Sequence, residues 1–177
     1  VDASTKIWDI ASGDLLLTLP GDPGEIGYNV AYSPDGQYLA ATWFSGVMLW
    51  DAATNERLFA LPGETAGTVR RLDFSPDSSR LAVASMDGLP RVWDLATQTE
   101  LLSLAGHDQY CEAIAYSPDG QQLATGDVGG TVKIWDAQNG EEQISFDHGG
   151  SIHGLAFNPD GTQLAVASDN ARLGIWD

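Results

Sequence analysis

The chain has little cysteine, few basic residues and no long apolar run. Its one cysteine, Cys111, excludes an internal disulfide framework and favours a reducing compartment. Lysine and arginine together number 8 against 25 acidic residues, so the formal net charge is −17. Nucleic acids and anionic membranes are unfavourable partners for so acidic a chain. No apolar run approaches the roughly 20 residues of a transmembrane helix, and no signal-peptide pattern is visible. We therefore expect a cytoplasmic protein with no nucleic-acid or membrane partner.

Two sequence markers recur in phase along the chain. The dipeptide Trp-Asp occurs five times, and its tryptophans are spaced by 42, 43, 42 and 41 residues. A Pro-Asp turn keeps the same period. The pairs are Trp8-Asp9, Trp50-Asp51, Trp93-Asp94, Trp135-Asp136 and Trp176-Asp177, and the turns begin at Ser33, Ser75, Ser117 and Asn158. A period of about 40–45 residues with this dipeptide is typical of a propeller blade.

Each period contains four short strand patterns. In the third unit they span residues 111–117, 122–126, 131–135 and 142–146, and we label such strands a to d. Residues 131–135 are rich in β-branched and aromatic side chains, as strands prefer. The turns Pro118-Asp119-Gly120 and Asn139-Gly140 separate strands, because proline presets φ and glycine accepts a positive φ. The sequence therefore predicts an all-β protein.

These motifs resemble the WD-repeat β-propeller family, and the resemblance covers essentially the whole chain. It is carried by the Trp-Asp pairs, the Ser-Pro-Asp-Gly turns, Gly106-His107 and residues 130–136. The closely similar repeats resemble bacterial members, in which such blades often follow a signalling or NTPase module. The resemblance implies a β-propeller of four-stranded antiparallel blades, with about four blades in an incomplete ring.

The predicted blades divide the chain into five units. Residues 1–19 form a partial blade with strands c and d, and residues 148–177 form one that lacks strand d. Between them lie the blades 20–61, 62–104 and 105–147. Two incomplete ends would expose apolar faces and unpaired strand edges. We expect the chain to be part of a longer polypeptide, and two copies that close one ring are the alternative.

The resemblance also implies a buried polar network in each blade. A tryptophan packs between blades and shares hydrogen bonds with a His, a Ser or Thr, and an Asp. The candidate members are Trp8, Trp50, Ser85, Asp87, Trp93, His107, Thr125, Trp135, Ser168 and Trp176. In the third unit Gly129 stands at the expected Asp position, and Asp22 and Glu64 replace the His of the first two units. We therefore expect that no unit holds the full network.

Patterns for catalysis, metal binding and cofactor binding are missing. At least nine aspartates fall in Pro-Asp turns or directly after tryptophan, and no tract has the spaced oxygen ligands of a calcium loop. His107 and Cys111 are four residues apart, but we interpret Cys111 as a small buried residue and His107 as structural. His148 and His153 stand isolated. There is no phosphate-binding Gly-Lys loop and no strained nucleophile turn. We predict no enzyme activity in this segment, no metal and no cofactor.

The candidate binding surface lies where strands a begin. When the units are aligned on the aromatic residue before each turn, the second position of strand a varies strongly from unit to unit. It holds Tyr28, Arg70, Glu112 and His153. The position two residues later is always aliphatic, which indicates core. It holds Val30, Leu72, Ile114 and Leu155. In the family this end of strand a lines the mouth of the central channel.

Variable turns between strands b and c lie beside that mouth and extend the surface. The predicted binding residues are Tyr28, Trp43, Phe44, Arg70, Met86, Tyr110, Glu112 and His153. Aromatic residues, Met and Arg are enriched at protein interfaces. The alternative is that these side chains only fill gaps left by incomplete polar networks, and Trp43 is the first candidate for that role. A carboxylate of a partner can pair with Arg70, whereas the acidic remainder of the surface favours a basic partner.

These observations predict a non-catalytic protein-interaction scaffold or sensor. We expect it to belong to a larger multidomain bacterial signalling or defence protein, and to dock another chain or domain on the channel-mouth face. One alternative is a structural subunit of a multiprotein assembly. Another is an enzyme that uses the propeller as its frame, with the mixed Tyr, Arg, Glu and His set on the channel as its polar groups.

Overall fold

A computed structural model of the protein describes residues 4–21, 24–44, 46–61, 68–170 and 173–176. Within these ranges the chain forms β-strands and no helix, in agreement with the all-β prediction. It follows that no helix of the described ranges is long and apolar enough to cross a membrane. Asp22 and Glu64, which the sequence places at the histidine position of two units, lie outside the described residues.

The strands form five antiparallel sheets that follow one another along the chain. The first sheet is β1 (Ser4–Trp8) and β2 (Leu15–Pro20). The second is β3 (Gly27–Tyr32), β4 (Tyr38–Trp43), β5 (Gly46–Asp51) and β6 (Arg57–Leu61). The third is β7 (Val69–Phe74), β8 (Arg80–Ser85), β9 (Arg91–Asp94) and β10 (Thr99–Ser103). The fourth is β11 (Cys111–Tyr116), β12 (Gln122–Asp127), β13 (Thr131–Asp136) and β14 (Glu142–Asp147). The fifth is β15 (Ile152–Phe157), β16 (Leu164–Ser168) and β17 (Leu173–Trp176).

Each four-stranded sheet is a meander in which every strand pairs with the next one in sequence. Such sheets, repeated side by side, are the blades of a β-propeller. Three four-stranded blades stand between a two-stranded and a three-stranded sheet, so the described part of the chain is an incomplete ring. The exact boundaries of the predicted blades stay a prediction.

Consecutive sheets pack face to face, and a separate apolar cluster fills each of the four interfaces. The strands a contribute Leu72 and Ile114, which are buried as the sequence predicts. Side chains also join neighbouring strands a directly. The Leu72 amide donates to Asn29 Oδ1 (3.2 Å), and the Tyr116 amide donates to Asp73 Oδ2 (2.8 Å). Apolar burial and these hydrogen bonds together fix the order of the sheets.

The two end sheets bury their tryptophans less than the complete blades do. Trp50 and Trp135 are 2% exposed and Trp93 is 8% exposed, so these three pack between blades. Trp8 is 53% exposed and Trp176 is 39% exposed. The prediction of the same buried place in every unit is therefore wrong for these two. In the described residues an end sheet has a neighbouring sheet on one face only.

The first strand a is likewise uncovered. Val30, predicted as core, is 54% exposed, and Tyr32 beside it is 52% exposed. Leu155, at the equivalent position of the fifth sheet, is half-buried. Val30 differs from Leu72 because the first sheet has two described strands only, and these pack on β4 and β5. The aliphatic position of strand a is thus suited to packing between sheets, but at Val30 the side chain stays exposed.

The Pro-Asp turns are closed by the hydrogen bonds that their sequence suggests. In the first, the Ser33 hydroxyl donates to Asp35 Oδ1 at 2.6 Å, and the Gln37 amide donates to the same oxygen at 3.0 Å. These bonds stabilise the ionised carboxylate and lower the pKa of Asp35 below its ordinary value. Asp77 and Asp119 do the same in the next two turns. These aspartates are thus committed to turn geometry.

Candidate functional site

The strands a of the described sheets are β3, β7, β11 and β15, and a β-bulge recurs at the start of each of them. In β7, Val69 pairs with Ser85 and Arg71 pairs with Ala84, so Arg70 between them has no partner residue. The same shift in register leaves one unpaired residue in β3, β11 and β15. The four bulge residues are Tyr28, Arg70, Glu112 and His153. A bulge redirects a side chain out of the regular alternation and is frequent beside functional sites.

The four bulge residues form one continuous row across four consecutive sheets, which we call the bulge row. The guanidinium carbon of Arg70 lies 4.6 Å from the centre of the Tyr28 ring, a cation–π contact. Arg70 Nε lies 3.4 Å from Glu112 Oε1. The other oxygen of that carboxylate, Oε2, lies 3.1 Å from His153 Nδ1. Positions that are about 42 residues apart in sequence are thus neighbours in space.

The bulge row borders an open cavity of about 430 Å³. Arg71 also lines it, although it follows Arg70 directly in the strand. Two adjacent residues of a regular strand point to opposite faces, and the bulge allows both arginines to reach one cavity. Arg71 is not among the binding residues predicted from the sequence. Its signal was the adjacent Arg70-Arg71 pair in a chain with few basic residues.

The remaining predicted binding residues lie at the same end of their sheets but contact the row less directly. The Phe44 and Met86 amides donate to the carbonyls of Ile26 and Thr68, just before β3 and β7. Phe44 is 60% exposed, Met86 is half-buried, and Tyr110 is 52% exposed just before β11. These three residues form a rim around the starts of strands a. None of the three is among the described residues that line the cavity of the bulge row.

Trp43 is buried rather than displayed. Its side chain is 4% exposed, packs over Gly27 and belongs to the core shared by the first and second sheets. Among the residues that the structure describes, its indole N–H finds no hydrogen-bond partner. Trp43 therefore has a packing role, the alternative that the sequence analysis raised for it.

The fourth sheet contains a complete polar network around Trp135. The indole N–H donates to Thr125 Oγ1 at 2.7 Å. Thr125 Oγ1 lies 2.7 Å from His107 Nε2, and His107 Nδ1 lies 2.8 Å from Asp127 Oδ2. The side chains of His107 and Asp127 are almost fully buried. The prediction that no unit holds the full set is wrong, because Asp127 and not Gly129 supplies the carboxylate.

Strand register also corrects two other assigned network members. Leu123 pairs with Trp135, so Thr125 lies two residues beyond the tryptophan's partner. The equivalent residues in the third and fifth sheets are Val83 and Val166, which carry no hydroxyl. Ser85 and Ser168 lie two residues further along their strands. There they occupy the position of Asp127, paired with the residue that precedes the bulge of strand a.

These serines make other contacts. The Ser85 hydroxyl bonds to Asp87, which forms an ion pair with Arg91 (2.8 Å), and Ser168 bonds to Asn170. Asp87 thus anchors an arginine and does not hold a histidine. The third sheet therefore has an ionic cluster where the fourth sheet has a histidine network.

The prediction that His148 and His153 stand isolated is wrong for both, since His153 contacts Glu112 on the bulge row and His148 contacts a tryptophan. His148 precedes β15 as His107 precedes β11, and it is 8% exposed. Trp176 Nε1 lies 3.4 Å from His148 Nδ1, and the two rings meet edge to face. His148 thus takes the histidine place of the fifth sheet. The missed signal was its spacing of 41 residues from His107.

Cys111 shows no feature of a reactive thiol. It is fully buried, and burial raises its thiol pKa far above the ordinary value, so the thiolate is disfavoured. In the described ranges no group of three His, Cys, Asp or Glu side chains is placed to hold a metal ion. The chemistry of the bulge row is therefore that of ion pairing, hydrogen bonding and aromatic contact.

Comparison with known proteins supports the architecture. The family model described as "WD domain, G-beta repeat" matches three times, at residues 55–94, 98–136 and 140–177. No curated protein matches the chain significantly. The three matches together cover more than half of the sequence, and each ends on a Trp-Asp pair of the repeat. Members of this family generally mediate protein–protein interactions and are generally not catalytic. With the bladed sheets and the Trp-Asp period, these matches show that the chain belongs to the WD-repeat β-propeller family.

Proposed function

We propose that the protein is an interaction scaffold or sensor that docks another protein chain or domain on the face where strands a begin. The contact surface comprises the bulge row, Arg71 and the exposed rim residues Phe44 and Tyr110. The proposed setting is a larger cytoplasmic signalling or defence protein of bacterial type, a setting suggested by the closely similar repeats.

One observation carries this proposal: the bulge row. Four consecutive sheets each place a different polar or aromatic side chain at the same bulge, and these side chains contact one another around one cavity. A position used only for packing does not need such variation. The position two residues later in each strand a is always aliphatic. A chemically mixed, partly exposed cavity with aromatic neighbours is the usual composition of a recognition surface.

Site-specific photo-crosslinking in cells tests the docking face. A photoreactive amino acid replaces Tyr110 on the rim or, as a matched control, Leu101 on β10, which is also exposed but lies in the fourth strand of its blade. We expect one discrete crosslinked partner from position 110 and none from position 101. The double variant Arg70→Ala, Glu112→Ala should abolish the crosslink while its thermal unfolding midpoint stays close to that of the parent.

The same experiment separates a sensor or scaffold from a structural subunit. A structural subunit holds its neighbours through extensive, constitutive contacts, so it should crosslink at positions 101 and 110 alike. It should also keep its assembly in the double variant. Either result would overturn the proposed docking face.

A further inference from the structure

We propose that the cavity beside the bulge row binds a carboxylate side chain of the partner, with Arg71 as the anchoring cation. This inference rests on the proposed function, because it assigns the chemistry of the partner segment that enters the docking face.

The first step is the distribution of positive charge. The chain has 8 basic residues, and two of them, Arg70 and Arg71, line this one cavity. Three other cations are already committed to partners within the fold. Arg80 donates to the Ala137 carbonyl and Gln138, Arg91 pairs with Asp87 and Glu100, and Lys133 pairs with Glu142. The cavity is therefore a basic site on a strongly acidic molecule.

The second step concerns Arg70, which the fold holds in place without satisfying. Tyr28 lies against its guanidinium and Glu112 lies beside Nε, yet the buried Nε makes no hydrogen bond of good geometry with any described residue. The side chain remains 32% exposed, so the guanidinium reaches the cavity. Nε itself is closed to a ligand, so an incoming oxyanion would accept from the terminal N–H groups of the guanidinium, which carry the exposure of the side chain.

The third step concerns Arg71, which is exposed and lines the same cavity. Among the residues that the structure describes, no carboxylate lies within ion-pair distance of its guanidinium. Glu112, the one acid on the cavity wall, divides its two oxygens between Arg70 and His153. Two guanidinium groups therefore face one carboxylate on the cavity wall, and cationic side chains outnumber anionic ones there.

The fourth step selects the ligand. A guanidinium binds a carboxylate through two parallel N–H donors, which gives both affinity and orientation. A cavity of about 430 Å³ lies within the usual range for ligand sites and has room for an acidic side chain. A singly charged carboxylate meets weaker repulsion from Glu112 and from the acidic chain than a phosphate dianion does. Basic residues on either side of the carboxylate would be attracted by the acidic surface.

Titration with three blocked pentapeptides tests the assignment. Their sequence is Ala-Lys-X-Lys-Ala, with glutamate, glutamine or phosphoserine at the centre, and the readout is the NMR shift of the arginine Nε–H groups of the protein. We expect saturable shifts of Arg70 and Arg71 with the glutamate peptide only. The glutamine peptide controls for the lysines. A tighter response to the phosphoserine peptide, or an equal response to glutamine, would overturn the inference.

Two arginine variants complete the test. Arg71→Gln should weaken binding of the glutamate peptide roughly tenfold or more, because a charge-assisted pair is lost. Arg57→Gln, at another exposed arginine at the start of β6, should leave it unchanged. If the partner still crosslinks to position 110 in Arg71→Gln with undiminished yield, the carboxylate anchor is wrong while the docking face stands. If the glutamate peptide binds but no protein crosslinks to position 110, the docking function is refuted while the carboxylate site stands.

Discussion

At the scale of single residues, one proton arrangement satisfies the whole network of the fourth sheet. The Trp135 indole N–H donates to the Thr125 oxygen, so the Thr125 hydroxyl is free to donate to His107 Nε2. His107 Nδ1 then carries the ring proton and donates to the Asp127 carboxylate. This assignment follows from the bonding partners. It requires a neutral imidazole, which agrees with the direction in which burial shifts the pKa of His107.

The Thr125→Val substitution should be costly despite its small change in volume. It leaves the Trp135 N–H and His107 Nε2 buried without partners, and an unsatisfied buried polar group costs about 1–3 kcal/mol of unfolding free energy. Urea denaturation measures the loss. Thr18→Val makes the same chemical change at an exposed position of β2 and should stay within about 0.5 kcal/mol of the parent. Equal effects of the two substitutions would contradict the network's role.

His107 should make stability depend on pH near neutrality. Burial, the largest cause, lowers its pKa from the ordinary value of 6.5 in spite of the Asp127 carboxylate beside it. The unfolded chain therefore binds more protons than the folded one between the lowered pKa and 6.5. The stabilisation is fully present above 6.5 and is lost as the pH falls through that window.

Urea unfolding midpoints measured from about pH 7.5 down to about pH 5 should fall for the parent protein. The decline should be much shallower in His107→Asn. It should persist in His153→Asn, because His153 lies exposed on the bulge row. An unchanged decline in His107→Asn would assign the titration to another group. The turn aspartates do not interfere, since their pKa values lie below 3.8.

The spacing of the motifs predicted the strands and turns of this fold. Residue type alone assigned some members of the polar network to the wrong positions. Counting ten residues back from Trp135 gives Thr125, and the same count from Trp93 gives Val83, as the register shows. Ser85, the hydroxyl-bearing residue of β8, lies two residues beyond Val83 and so falls outside the network position. The place of Asp127 in the network cannot be deduced from spacing, because the bulge of strand a sets which residue lies opposite it.

At the scale of strands, the bulge explains why the variable position of strand a forms a site. Without it, Arg70 and Arg71 would lie on opposite faces of β7, and one of them would enter the core between sheets. The sequence revealed which position varies. It could not reveal that neighbouring side chains meet at 3–5 Å, because those distances depend on how closely successive sheets pack.

Close packing of successive sheets should be visible at a single glycine. An added Cβ at Gly126 of β12 would lie 2.5 Å from the Cγ2 atom of Ile152 in the next sheet. Gly126→Ala should therefore destabilise the protein by about 1–3 kcal/mol through overpacking. In Gly154→Ala the new methyl would meet Ala167 at 3.7 Å, an ordinary contact, so this strand glycine is the matched control. Equal stability of the two variants, measured by urea unfolding, would place the fourth and fifth sheets further apart.

At the scale of the whole molecule, the sheets differ in how much holds them. The fourth sheet has neighbours on both faces and the complete histidine network, and its Trp135 is 2% exposed. The first and fifth sheets have fewer strands and more exposed tryptophans. In a chain of repeats, stability is approximately a sum of terms for each repeat and for each interface with its neighbours. Unequal neighbours should therefore produce unequal local stability.

Amide hydrogen exchange followed by mass spectrometry measures this difference directly. Peptides from β12 and β13 should exchange most slowly, because opening them breaks two apolar interfaces and the Trp135 network together. In the 177-residue chain, peptides from β1, β2 and β17 should exchange fastest, since each belongs to a sheet that packs on one described neighbour only. The Thr125→Val variant should speed amide exchange in β12 and β13 more than in β4 and β5, because the hydrogen bonds that it removes lie within the fourth sheet. Uniform protection along the chain would instead mean that all sheets open in one cooperative step, and that the local network does not set the stability of its blade.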